Sequence, residues 1–139
     1  MRATCGGFSM SAVSIKPISA PDAPAAVGPY SCAVACSGQQ TIYVSGQLPI
    51  DPQTGAMSSD IKEQTEQSLR NVAALLKSAG ASLQNVVKTT VFITNMDDFA
   101  AVNEVYGSIF TSPYPARSCF EVSKLPKGAK VEIECVAVL

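Results

Sequence analysis

The chain has 139 residues, a formal net charge of −1 at pH 7 and no histidine. This length suits a single domain, because most domains contain about 100–150 residues. Charged residues make up only 15% of the chain, below the roughly 25% of an average soluble domain, so part of the surface is expected to be buried against other copies. The sequence has no basic run and no long apolar run, which argues against nucleic-acid binding and against a membrane span.

Residues 1–12 are rich in glycine, serine and alanine and are predicted to form a flexible extension before a single domain at 13–139. This extension has too little positive charge for a convincing transit peptide, and its apolar stretch is too short for a secretion signal. The five cysteines are odd in number and their spacing forms no disulfide framework, which indicates reduced thiols. A cytoplasmic protein is therefore expected, with a mitochondrion or another organelle as the alternative.

Cys32 and Cys36 have a spacing that suggests a pair of metal ligands. On a strand, however, two residues at this spacing lie about 13 Å apart, too far to share one ion. We therefore expect both cysteines to be small buried hydrophobic residues.

Three strands are predicted in the first part of the chain. The first covers about residues 13–18, the second is an extended stretch at 30–36, and the third is a β-branched strand at 41–46. Gly38 lies in a predicted turn between the second and the third, which favours a hairpin formed by these two strands.

A helix is predicted at about residues 61–79, where apolar residues recur at three- and four-residue steps. Asp60 and Glu63 have the spacing of a capping box at its start, and Gly80 suits the position after its end. A strand is then expected at 86–94, and a second helix from Asp97 to about Phe110.

Two further strands are predicted at about residues 116–123 and 130–138. This order of elements indicates an α+β fold, in which both helices pack on one face of a mixed β-sheet.

The last predicted strand has one apolar face, formed by Val131, Ile133, Cys135 and Ala137, which is expected to lie under the helices. The opposite face mixes charged and apolar residues, which is unusual for a surface exposed to water. Packing of subunits on this open face into a closed cyclic oligomer explains the pattern; a solvent-exposed sheet is the alternative. Arg117 is expected on the same open face, with Glu132 nearby.

The absence of histidine excludes a Ser-His-Asp triad and a Cys-His pair. The sequence also has no phosphate-binding loop and no carboxylate cluster for a catalytic metal, so no cofactor and no metal are expected. The groups left for chemistry are Arg117, Glu132, Cys119, Tyr30, Ser45, Asn103 and the backbone amides near Gly46.

Arg117 lies in an apolar segment of small residues that contains a proline, at residues 114–121, where its charge needs a partner. A guanidinium presents a rigid fork of donors that matches a carboxylate in a bidentate manner, so we expect Arg117 to bind a small carboxylate substrate. The structural alternative is a salt bridge to Glu121, Glu132 or Glu134.

Two of the other candidates also have structural interpretations. Glu132 could be an ordinary solvated strand residue. Cys119 could be a nucleophile, but only Arg117 could lower the pKa of its thiol, so core packing is favoured.

Five short blocks occur in order along the chain: residues 26–30 (AVGPY), 44–49 (VSGQLP), 87–92 (VKTTVF), 115–119 (PARSC) and 130–134 (KVEIE). With these blocks the chain resembles the RidA/YjgF family, also called the endoribonuclease L-PSP or translation-inhibitor family. The resemblance extends over about residues 15–138, nearly the whole chain.

This resemblance implies a chorismate-mutase-like α+β fold and a homotrimer with three clefts between subunits. It implies hydrolysis of reactive 2-imino and enamine acids, such as 2-iminobutanoate and 2-iminopropanoate, to 2-oxo acids and ammonia. No cofactor or metal is implied. An RNA-cleaving translation inhibitor is one alternative, and a non-enzymatic trimer that binds small carboxylates or acts as a chaperone is another.

The resemblance also assigns roles to individual residues. Arg117 would bind the substrate carboxylate and Glu132 would act on the attacking water. The Gly46 amide and the Cys119 backbone match ligand contacts of the family. The positions that match the lining of the pocket are Tyr30, Ser45 and Asn103.

Overall fold

A computed structural model describes residues 12–139 of the chain. The predicted extension therefore lies outside the described residues, except for Ala12. The strands are β1 (Ser14–Ile18), β2 (Ala33–Ser37), β3 (Thr41–Gln47), β4 (Val86–Ile93), β5 (Ala116–Glu121) and β6 (Val131–Val138). The helices are α1 (Ile61–Ser78) and α2 (Phe99–Ile109), with short 3-10 turns at Leu83–Asn85, Met96–Asp98 and Pro126–Gly128.

Helix α1 begins and ends where the sequence predicts. The Asp60 carboxylate accepts a hydrogen bond from the Glu63 amide at 3.0 Å and so caps the first turn. The Glu63 side chain does not complete a capping box, since it accepts from the Ser58 hydroxyl instead. At the other end Gly80 adopts φ +83°, a left-handed conformation that glycine adopts without strain.

The main sheet has four strands in the order β3-β6-β4-β5. Strands β4 and β5 are parallel and are connected through α2, whereas β6 runs antiparallel to both β3 and β4. The sheet is therefore mixed, as predicted. Strands β1 and β2 form a separate two-stranded antiparallel sheet.

The core lies between this four-stranded sheet and the two helices. Val131, Ile133, Cys135 and Ala137 of β6 are each at most 4% exposed. They pack with the buried faces of the helices, which include Leu69 and Leu76 of α1 and Val102 and Tyr106 of α2. The predicted α+β fold and the predicted buried face of β6 are thus confirmed.

The predicted hairpin between residues 30–36 and 41–46 is wrong. Strand β2 pairs with β1, and β3 pairs with β6. The turn between β2 and β3 does not join them edge to edge, because the amides of Gln39 and Gln40 both donate to the Leu139 carbonyl. The end of the chain thus occupies the position where the hairpin ladder would begin.

The prediction that Cys32 and Cys36 are buried is also wrong, since both are exposed in the chain. Strand β2, to which Cys36 belongs, lies in the two-stranded sheet, and most residues of that sheet are exposed. Among the cysteines within residues 12–139, Cys135 is buried in the core and Cys119 is partly buried against it.

Within residues 12–139, no helix combines the length and the apolar character needed to cross a membrane.

Candidate functional site

Arg117 lies on the helix-covered face of the sheet. In the parallel register of β4 and β5 it is paired with Thr89. Thr89 is fully buried, and its hydroxyl is 2.7 Å from the Tyr106 hydroxyl of α2. The prediction that Arg117 lies on the open face is therefore wrong. Alternation along β5 shows which residues share a face, but only the pairing with β4 shows which face the helices cover.

Neutral groups hold the Arg117 side chain. Its Nη1 donates to Oδ1 of Asn103 at 2.6 Å. Its guanidinium carbon is 5.0 Å from the ring centroid of Tyr106 and 5.5 Å from those of Tyr30 and Phe99. Aromatic rings at such distances attract a cation without neutralising its charge. The side chain is thus oriented before any ligand binds.

Arg117 makes no salt bridge within residues 12–139, where the ion pairs are Lys62–Glu104 and Arg70–Glu66. Glu121, one of the expected partners, instead accepts a hydrogen bond from the Met96 amide at 2.7 Å. A structural salt bridge from Arg117 to Glu121, Glu132 or Glu134 is therefore not formed within the described part of the chain. The positive charge remains available to an anion.

The Gly28-Pro29-Tyr30 segment is fixed beside Arg117 by its attachment to the start of β5. The Ser31 amide donates to the Pro115 carbonyl at 3.0 Å, and the Ser31 hydroxyl donates to the Tyr114 carbonyl. A Cβ on Gly28 would be 3.9 Å from Nη2 of Arg117, so the loop backbone borders the guanidinium. This segment thus forms one wall of the site.

Cys119 follows Arg117 by two residues and shares its face of β5. It is partly buried and packs against the core beside Val91. Burial raises the pKa of its thiol, and the nearby Arg117 charge only partly opposes this effect. The thiol is therefore held in its neutral, less reactive form, which agrees with core packing rather than with a nucleophile.

Glu132 lies on the opposite, open face of the sheet. Its neighbours Val131 and Ile133 point into the core, so the alternation of β6 turns Glu132 away from the helices. Its carboxylate lies directly against Gly46 of β3, where a Cβ would be 2.3 Å from Oε2 of Glu132. Ser45 and Gly46 lie at an irregularity in the pairing of β3 with β6. Glycine at position 46 thus makes room for the carboxylate.

The predicted site residues therefore form two groups that lie on opposite faces of one sheet. The helix-covered group contains Arg117, Asn103, Tyr30 and Cys119, and the open-face group contains Glu132, Gly46 and Ser45. Within one chain the structure does not bring these two groups together.

Two residues beside Arg117 are missing from the sequence prediction of the site. Phe99 and Tyr106 lie one helical turn on either side of Asn103 in α2. The sequence feature that could have identified them is this proximity to Asn103, because residues three or four apart share one helix face.

A family model described as endoribonuclease L-PSP matches residues 20–139, most of the chain. The chain belongs to the RidA/YjgF family.

Members of the RidA/YjgF family share both sequence and fold with this chain. RutC family protein y4sK of Sinorhizobium fredii is 55% identical over 126 residues, which cover 90% of this chain and 98% of that protein. The 2-iminobutanoate/2-iminopropanoate deaminase of Salmonella typhimurium is 47% identical, with 88% and 97% covered. The crystal structure of RidA from a Psychrobacter species superposes with a TM-score of 0.71 at 44% identity, covering 89% of this chain and 99% of that one.

Proposed function

We propose that the protein hydrolyses reactive 2-imino acids and their enamine forms, such as 2-iminobutanoate and 2-iminopropanoate, to 2-oxo acids and ammonia. The observation that carries this proposal is Arg117, a cation oriented by neutral groups and free of any salt bridge within residues 12–139. Such a site suits a small carboxylate. The deaminase name of the Salmonella relative supports this choice of substrate.

The chemistry requires little from the protein, because an imine carbon is already electrophilic. Arg117 holds the substrate carboxylate and so fixes the position of the C=N bond. Glu132 accepts a proton from a water molecule as that water adds to the imine carbon. The nitrogen is protonated and leaves as ammonia, and the carbon–oxygen double bond forms. General-base assistance of this kind contributes roughly 10²–10⁴-fold.

Backbone donors complete the proposed site. The Gly46 amide and the Cys119 backbone steady the substrate as charge moves from carbon to nitrogen and oxygen. Ser45, Tyr30 and Asn103 line the pocket. No metal or other cofactor is part of the proposal, and the Cys119 thiol takes no part in the reaction.

Glu132 and Arg117 can act on one substrate only if they come from different chains, because they lie on opposite faces of the sheet. The edge strand β5 of one copy must then lie over the open face of another copy. We propose a homotrimer in which each of three clefts combines Arg117 of one subunit with Glu132 of the next. Each subunit contributes one domain, at residues 13–139.

The free cysteines are consistent with a reducing compartment. We propose the cytoplasm, with an organelle as the alternative.

RNA cleavage is the activity that the family description names. The chain offers it little support, since it has no histidine and a net charge of −1, and RNA binding depends strongly on positive charge. A purely binding protein is the other alternative. It would bind 2-oxo acids through Arg117 and hydrolyse no imine.

Release of ammonia and 2-oxo acid from 2-iminopropanoate, generated in situ by an amino acid oxidase, tests the proposal. We expect the wild-type protein to accelerate hydrolysis and Arg117→Ala to lose about 100-fold, the cost of about 3 kcal/mol for a charge-assisted pair. Arg70→Ala is the matched control, because Arg70 pairs with Glu66 on the surface of α1. Full activity of Arg117→Ala would contradict the proposed role of the arginine.

A further inference from the structure

Lys88 lies on the open face of the sheet and is not used by the proposed reaction. Its ammonium donates to the Thr89 carbonyl at 3.2 Å, to the Thr90 hydroxyl at 3.4 Å and to the Ser118 hydroxyl at 3.3 Å. All three acceptors are neutral and all three distances are long. Lys88 is partly buried and forms no ion pair within residues 12–139. A partly buried charge without a counter-charge is costly, so a partner is expected.

Two carboxylates on the same face also lack an ion pair in the described chain. Glu132 and Glu134 both belong to β6, the strand next to β4. Lys88 extends in the other direction, towards Ser118 of β5. The open face therefore has a positive half over β4 and β5 and a negative half over β6.

The same face exposes aromatic side chains as well as these charges. Tyr43 of β3 is 79% exposed and Phe120 of β5 is 53% exposed, and Phe120 stacks on Phe92 of β4. Aromatic residues around a few charges are typical of a surface that is covered in an assembly.

A second copy of the chain fits this surface. The positive half of one copy complements the negative half of the next, and the two halves belong to different strands. Contacts between different surfaces of identical chains are heterologous, and they form a ring if the rotation closes. The proposed cleft requires the same arrangement, because the β5 edge beside Lys88 must lie over the open face of the neighbour.

We propose that Lys88 forms an ion pair with Glu134 of the neighbouring copy, and that this contact fixes the head-to-tail order of the ring. Glu134 is the better partner of the two glutamates because it is exposed, whereas the Glu132 carboxylate is packed against Gly46. The proposed ion pair depends on the proposed function only because both assume that the β5 edge of one subunit lies over the open face of the next. It also leaves Glu132 free to act on water.

Chemical crosslinking tests this contact without measuring activity. Lys88→Cys and Glu134→Cys are combined in a background in which Cys5, Cys32 and Cys36 are serine, and the protein is treated with a short bismaleimide. We expect the combined variant to give covalent dimers and trimers on denaturing gels, and each single variant to stay monomeric. A head-to-tail ring predicts trimers because each chain offers one residue to each neighbour.

Two results of this crosslinking would overturn the proposal. Products that stop at dimers would indicate a two-fold contact, in which both crosslinks join the same pair of chains. Lys88 and Glu134 are diagonal neighbours on adjacent strands of one chain, so the combined variant can also be linked within a chain. Co-expressed single variants cannot be linked in this way, and an absence of dimers from that mixture would show that the two residues do not meet between chains.

Charge exchange gives a second test. Lys88→Glu and Glu134→Lys should each shift the mass measured by light scattering towards monomer, and the combined exchange should restore the trimer. Lys77→Glu at the end of α1 is the control. Trimers that survive both single changes would overturn the proposed ion pair. The presence or absence of imine hydrolysis in these variants would bear only on the proposed reaction.

Discussion

The two faces of the four-stranded sheet differ in the groups that surround their charged side chains. On the helix-covered face, Arg117 is held by an amide and three aromatic rings, and most of the other buried residues are hydrophobic. On the open face, Glu132, Glu134 and Lys88 lie among exposed aromatic side chains without forming an ion pair in the described chain.

The two groups of site residues suit different steps of the proposed reaction. The helix-covered face provides a preorganised cation, which is suited to binding. The open face provides a carboxylate that can accept a proton. Because the sheet separates them, one chain contains both functions without a complete site, and association of subunits becomes part of the proposed catalysis.

The largest expected effect comes from placing Arg117 and Glu132 on different chains of one assembly. Arg117→Ala and Glu132→Gln should each be nearly inactive, since each removes one half of every cleft. Co-expressed in equal amounts, they should regain about one quarter of wild-type activity, because one neighbouring pair in four supplies both side chains in a ring. The measurement is imine hydrolysis by the purified mixture.

The control for this mixture combines Arg117→Ala with a chain that carries both changes. It contains no Arg117 and should stay inactive. An equally inactive Arg117→Ala and Glu132→Gln mixture would mean that both residues serve the same chain.

A smaller effect is expected from moving the carboxylate on the open face. Gly46→Ala would place a Cβ 2.3 Å from Oε2 of Glu132, so the carboxylate must shift. We expect kcat to fall about tenfold or more, since general-base assistance is worth roughly 10²–10⁴-fold, while affinity for 2-oxobutanoate changes little. Steady-state kinetics and calorimetry separate these two quantities.

Gly107→Ala provides the matched glycine control, because its Cβ would meet Pro29 at an ordinary 3.4 Å. A Gly46→Ala protein with wild-type kcat would show that the position of Glu132 does not matter for the reaction.

On the helix-covered face, Asn103 tests whether the neutral partner of Arg117 matters. Asn103→Asp introduces a carboxylate 2.6 Å from Nη1, where the amide oxygen now lies, and should compete with the ligand. We expect 2-oxobutanoate to bind about tenfold more weakly, as losing one hydrogen bond to a charged group implies. Asn103→Ala should cost less, because it leaves the arginine unpaired. Equal affinities of the two variants would contradict this order.

The smallest effect is expected at Cys119. Burial raises the pKa of its thiol, so alkylation by iodoacetamide at neutral pH should be slow and should accelerate only as pH rises above the ordinary thiol range. Exposed Cys32 is the internal control in the same mass spectra. Cys119→Ser should keep activity within about twofold, because the proposed contact is through the backbone. A large loss would give the thiol a role.

Local patterns in the sequence predicted the elements well. Asp60 and Gly80 mark the ends of α1 because capping depends on neighbouring backbone groups, and the alternation of β6 identified the residues that face the core. The family resemblance also identified Arg117 and Asn103, which the structure joins by a hydrogen bond.

The sequence failed where long-range pairing decides the outcome. Residues 30–36 and 41–46 both have strand patterns, but no local feature shows that the end of the chain takes the ladder position beside Gln39 and Gln40. Likewise, the pattern around Arg117 could not show which face α2 covers, because that depends on the pairing of Arg117 with Thr89.

The tyrosines give each face its own optical reporter. The chain has four tyrosines and no tryptophan, so its near-ultraviolet circular dichroism depends on tyrosine to an unusual degree. Tyr30 and Tyr106 lie within 5.5 Å of the Arg117 guanidinium, whereas Tyr43 stands 79% exposed on the open face. Ligand binding beside Arg117 should therefore change the signal of Tyr30 and Tyr106, whereas covering of the open face should change that of Tyr43 in the unlabelled protein.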